Sequence, residues 1–184
     1  MDLRVIKTKK NIYQSLLELM KDYVFEDIKV SQICEKAMIN RSTFYAHFDD
    51  KYSLFKDFID DLKGTLKVEL NKNKNISSSK EYYMELIRLL ITHFEMKKDV
   101  YSALIQNNRN SIAMDMIHEA LRDDIYSHIK NGEQLGNKIP IEFTLNFYLG
   151  AIFYVGMEWI TTKEKYTKEE IIEYLNLLIP NEVI

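Results

Sequence analysis

The sequence predicts an all-α protein: a three-helix, helix-turn-helix head followed by a helical-bundle body. Three observations carry that expectation. Only two Pro and five Gly interrupt 184 residues, so few positions forbid or weaken a helix. Leu, Ile, Lys and Glu are plentiful, a composition through which long helices are easier to write than strands. Apolar residues also recur at three- and four-residue steps through most of the chain. With 46% hydrophobic residues, the chain can bury a real core. Cys34 is the single cysteine and can form no internal disulfide; with no apolar leader at the start, a cytoplasmic location is expected.

Ile12, Leu16, Leu19, Met20 and Tyr23 place one apolar stripe on a first helix from about Thr8 to Tyr23. Lys7, Lys9 and Lys10 lie at its start, where they oppose the helix dipole. They are therefore either solvated or set against an anion such as phosphate. After the Tyr23-Val24-Phe25 corner, Val30, Ile33, Cys34 and Ala37 form an i, i+3, i+4, i+7 face of about two turns. Met38-Ile39-Asn40 interrupts it, with Asn40 a suitable N-cap.

The segment Arg41-Ser42-Thr43-Phe44-Tyr45-Ala46-His47-Phe48 then buries Phe44 and Phe48 and turns its polar residues outward. Two short helices joined by a three-residue turn, the second with a small, polar and cationic face, have the shape that fits a major groove. Arg41 can present a two-pronged donor to guanine, Ser42 and Thr43 can bond base or phosphate, and Ala46 leaves room for a thymine methyl. Tyr45 and His47 can donate to phosphate oxygens, and Lys51 adds a cation just beyond.

In these residues the chain resembles the TetR family. That family's DNA-binding segment runs as a helix, a Gly-Val-Ser-like turn, then Thr-Leu/Phe-Tyr-x-His-Phe and a Lys three residues later. Here Ile33, Ala37, Ile39, Thr43, Phe44, Tyr45, His47, Phe48 and Lys51 stand in those places. The resemblance implies that Thr43, Tyr45, His47 and Lys51 hold phosphates while Arg41 and Ser42 read bases of double-stranded DNA. It covers about the first 60 residues. Two positions depart from the pattern. Met38 replaces the usual turn Gly, so either the backbone avoids a positive φ or a side chain is tolerated there at some strain. Lys29 replaces a capping Thr; it cannot accept a hydrogen bond and could instead reach a phosphate, leaving the cap to Asp27 or Ser31.

The charge balance fits a weakly basic head on an acidic body. Residues 1–48 hold eight Lys/Arg against six Asp/Glu, whereas the whole chain is −3. Residues 1–50 are read as the DNA-binding domain and 51–184 as the body, with 51–70 a connecting helix. The polar run Asn71–Ser79 follows, capping through Ser78 or Ser79 a helix from about Lys80 to Glu95. Further helices are expected over 97–106, 111–131, 138–162 and 167–179, with Gly132, Gly136 and Pro140 marking one break.

Residues 139–160 are the most apolar, but Glu142, Asn146 and Glu158 argue against a membrane span. A helix apolar nearly all round packs in its own domain on one side and on a second subunit on the other. The resemblance likewise implies a homodimer built from the last two helices. Its candidate interface is Phe143, Phe147, Gly150, Tyr154, Trp159, Ile171, Leu175 and Leu178. Tyr83, Phe94, Tyr101, Phe147 and Tyr148 are candidates to line an apolar cavity for an unidentified small-molecule effector. His93, His118 and His128 lack metal-ligand spacing, and no phosphate loop or nucleophile motif occurs, so neither metal, cofactor nor enzyme activity is expected. The family's common behaviour is repression released by ligand. The alternatives are a regulator acting through a protein partner and a small enzyme using His93 or His118 as a base.

Overall fold

The computed structural model describes residues 2–72, 78–132, 140–162 and 165–179. Among them lie nine α-helices and one short 3-10 turn: α1 (Leu3–Met20), the turn Phe25–Asp27, α2 (Val30–Lys36), α3 (Arg41–Tyr45), α4 (Lys51–Lys72), α5 (Ser79–Glu95), α6 (Lys98–Asn108), α7 (Ile112–Gly132), α8 (Ile141–Thr161) and α9 (Lys168–Leu178). Gly136 and residues 73–77 of the polar run lie outside the described residues. The chain forms two compact units, Met1–Leu62 with Asp99–Met116, and Lys63–Lys98 with Ile117–Ile184.

In the first unit, α1 turns Ile12, Leu16 and Met20 inward, and they meet a core that includes Phe25, Ile28, Ile33, Phe44, Phe48, Leu54 and Phe55, all buried. Each such side chain removed from water contributes roughly 1.5–3 kcal/mol. The rings interlock: Phe25 lies 5.2 Å from Phe55 and Tyr13 lies 5.7 Å from Phe58. Helix α1 begins five residues earlier than its apolar stripe suggests, because the Asp2 carboxylate accepts from the Arg4 N–H at 2.9 Å and caps a first turn that buries nothing. Asp50 and Ser53 start α4 in the same manner, the Ser53 N–H donating to Asp50 Oδ1 at 2.7 Å.

In the second unit, α9 packs on α5, and α8 also reaches α5. Ser78 caps α5 by accepting from the Glu81 N–H. Thr167 and Glu170 form a reciprocal capping box at α9. Trp159 is held inside this unit, its indole N–H donating to the Tyr166 carbonyl at 2.9 Å under the Lys98 ammonium. Ile171 and Leu175 are buried as well. These three were among the residues expected at a subunit interface; within the single chain they are already buried. Exposed on α8 are Phe143, Phe147 and Tyr154, and on α9 Leu177 and Leu178. Among the described residues no helix is long and apolar enough to cross a membrane.

Candidate nucleic-acid interface

Helix α2 returns along α1, and Asn11 marks where they part: its amide donates to the Ala37 carbonyl at 2.7 Å, satisfying the end of α2. The turn that follows is a Schellman motif. The Ile39 N–H donates to the Cys34 carbonyl and the Met38 N–H to the Glu35 carbonyl. This geometry needs a left-handed residue, and Met38 supplies it with φ 53°. Its side chain is 92% exposed, so no packing repays the conformation. Of the two alternatives left open by the sequence, the strained one is realised.

At the start of α2 the cap comes from neither Asp27 nor Ser31. Gln32 reaches back, its Oε1 accepting from the Lys29 N–H at 2.8 Å, which leaves the Lys29 side chain exposed. Asn40 has the extended backbone of an N-cap but makes no side-chain cap bond. Helix α3 is only five residues long, and Phe44 fixes its roll by burying completely. Arg41, Ser42, Tyr45 and Ala46 are consequently exposed, with Thr43 and His47 half-buried beside them. These candidates therefore share one accessible face, bearing a guanidinium, hydroxyls, an imidazole and a methyl that can approach a groove.

Lys51 reaches back from the start of α4 to the corner before α2. Its ammonium donates to the carbonyls of Phe25, Glu26 and Ile28 at 2.9, 2.5 and 2.9 Å, which occupies all three N–H donors. It also sits over the rings of Phe25 and Tyr52. Burial pushes this ammonium below the ordinary lysine value, against the pull of Glu26 and Asp27. In this structure Lys51 thus fastens the corner before α2.

The same corner is held from two further directions. Asn108 is fully buried, its Oδ1 accepting from the Phe25 N–H at 2.7 Å and its Nδ2 donating to the Met20 and Leu104 carbonyls at 2.9 Å. Asn107 donates to the Lys21 carbonyl. The Glu26 carboxylate accepts from the Ile112 N–H at 2.6 Å, at the start of α7, where the helix dipole favours a negative charge. Sequence reading missed this set. One signal was available: Asn108 occupies a place in the apolar series Tyr101, Leu104, Ile105, where a polar residue must find buried partners.

The candidates for an effector cavity are drawn from both units. Tyr101 belongs to the first unit, whereas Tyr83, Phe94, Phe147 and Tyr148 belong to the second. Tyr83 is buried and Phe147 is exposed.

A short helix set across the end of another, with its polar face open and its apolar face buried, defines a helix-turn-helix DNA-binding transcriptional regulator. Residues 12–58 match the family described as bacterial regulatory proteins, tetR family, and residues 81–181 match a transcriptional regulator C-terminal region. The chain belongs to the TetR family. It is 36% identical over 52 residues to the uncharacterized HTH-type transcriptional regulator YxbF of Bacillus subtilis (strain 168), a match that spans 28% of this chain and 14% of that protein. Its fold is similar to Lin0861 from Listeria innocua, at 21% identity, TM-score 0.69 and coverage of 97% of this chain and 92% of that one. A TetR transcriptional regulator from Streptococcus agalactiae 2603V is similar at 23% identity and TM-score 0.67, covering 95% and 94%. The family and fold are those of transcriptional regulators.

Proposed function

We propose that this chain is a dimeric repressor that binds a palindromic DNA operator and is released from it by a small-molecule effector. The observation that carries the DNA reading is the face of α3: Arg41, Ser42, Tyr45 and Ala46 are exposed around a fully buried Phe44. Arg41, Ser42 and Ala46 read base edges; Lys29, Thr43, Tyr45 and His47 hold phosphates. Lys51 serves the corner behind them. Dimerisation is supported by Phe143, Phe147 and Tyr154, which expose large apolar groups along one helix. Gly150, between them, has open space where a side chain would stand, and Leu178 extends the apolar surface on α9. A dimer carries two α3 helices, one for each half-site of a palindrome, and such half-sites lie about 34–36 Å apart on DNA. An effector acts by shifting α6 or α7, whose Asn108 and Ile112 grip the corner that leads into α2.

The decisive experiment is selection of bound duplexes from a random pool, followed by titration of the selected site. Tyr45→Ala should weaken binding to every sequence, whereas Arg41→Ala should relax choice at one position, by about 1–3 kcal/mol. A selected site without two-fold symmetry, or a folded protein that enriches no site, would overturn the reading. Sedimentation of Phe147→Glu tests the dimer, which should fall to monomer. Adding a metabolite panel to the bound complex tests release.

A further inference from the structure

Helix α1 is longer than the packing of the head requires. Its first buried residue is Ile12, and Asn11 already stands level with the turn between α2 and α3. The eight residues Leu3–Lys10 continue beyond that level for about 12 Å at the helical rise, and none of them is buried. Arg4, Lys7, Lys9 and Lys10 fall in this stretch, and Arg4 stands in the first turn, where positive charge is unfavourable to the helix by some 0.3–1 kcal/mol. A projecting helix end that gains nothing from burial and carries opposing charge needs another reason for its cations.

The stretch has two sides. Lys9 and Tyr13 point to α4: the Lys9 ammonium pairs with Asp57 at 2.5 Å and covers the Phe48 ring, and the Tyr13 hydroxyl donates to the same carboxylate. Lys9 is therefore committed inside the head. Lys7 is one turn before Asn11 and Arg4 two turns before it, so both lie within about 40° of Asn11 around the helix. They share the side that faces the recognition turn. Both side chains are exposed, and neither makes an ion pair among the described residues.

We propose that Arg4 and Lys7 form a second phosphate-holding patch, gripping the DNA backbone beside the half-site that α3 reads. The inference rests on the DNA-reading function proposed above. The partner's chemistry follows from charge and continuity: the cations extend from the turn before the helix proposed to enter the groove, and the complement of a cationic patch beside a groove reader is the phosphate backbone. It follows also from scarcity, since Lys9 and Lys51 are both committed inside the head and phosphate neutralisation falls to the few exposed cations left.

The test is the salt dependence of binding to a random-sequence duplex about three helical turns long, measured for the full chain and for Arg4→Ala/Lys7→Ala. Each phosphate contact removed should lower the log–log salt slope by about 0.9, so the double variant should lose about 1.8 per bound protomer. Arg4→Lys/Lys7→Arg should restore the slope. Both substituted side chains are exposed, and Thr8 bonds only the backbone carbonyl of Arg4, so the variant should melt no lower than the parent. A slope unchanged in the double variant while the parent binds overturns this inference alone. Failure of the parent to bind duplex DNA overturns the DNA reading and this inference with it.

Discussion

Replacing Met38 with Gly should stabilise the protein. Met38 sits at φ 53°, where the Cβ of an L-residue crowds the following carbonyl at a cost of roughly 1–2 kcal/mol. Glycine removes that cost but loses more freedom on folding, by roughly 0.5–1 kcal/mol. The side chain is 92% exposed, so its deletion sacrifices almost no packing. Both Schellman bonds use backbone atoms and survive the change. The net gain is about 0.5–1 kcal/mol, or about 1–4 °C in Tm for a chain of this size. Urea unfolding at one protein concentration, with the slope checked for constancy, measures it. Met38→Ala, which keeps the Cβ, should change little, and Met38→Val should destabilise because a branched Cβ suits this region worse. A glycine variant no more stable than the parent, at equal slope, would show that the turn is not strained as its φ implies.

Three other outcomes follow from the head's hydrogen bonds. Lys51→Ala should cost about 2 kcal/mol by taking the ammonium from the Glu26 and Ile28 carbonyls and leaving Phe25 with its Ile28 N–H alone, while leaving the salt slope of DNA binding unchanged; a slope lowered by about 0.9 would mean that Lys51 holds a phosphate. Asn108→Ala should cost about 3 kcal/mol, since it takes the side-chain partner from the Phe25 N–H and the Met20 carbonyl in a buried site, and thermal melting will read it. Tyr13 has its ionisation pushed well above 10, first by burial and then by the Asp57 carboxylate. The unfolded chain therefore releases this proton from about pH 10 upward while the folded chain keeps it, and stability falls with rising pH by up to about 1.4 kcal/mol per pH unit. Tyr13→Phe should be less stable at neutral pH but flatter above pH 10, as measured by urea titrations across that range.

What the sequence disclosed was local. Phe44 and Phe48, four apart, set the roll of α3, and the structure buries both. The Thr167–Glu170 box, three apart, starts α9 where its residues suggest. Periodicity and capping act within a few residues, so one chain read in order reveals them. What it did not disclose was long-range. The motif position of Lys51 says nothing about the three carbonyls, more than twenty residues away, to which it donates. Asn108 meets Phe25 across 83 positions, and no short-range pattern encodes that partner. Trp159, Ile171 and Leu175 lie on apolar stripes, but a stripe does not say which neighbour covers it.

The corner from Met20 to Ile28 explains why residues so far apart belong to one unit. Its backbone leaves α1 and enters α2 through a single 3-10 turn, so several N–H and C=O groups lack the regular partners a helix provides. Lys51, Asn107 and Asn108 supply them from two helices, and the Glu26 side chain ties the corner to a third by accepting from the first N–H of α7. Asn108 uses both ends of its amide to join α6 to the corner, and Glu26 Oε1 accepts from the Ile112 N–H to join it to α7. The set of the corner, and with it the start of α2, therefore depends on α6 and α7 together: a displacement of either breaks a hydrogen bond that the corner cannot replace from its own backbone.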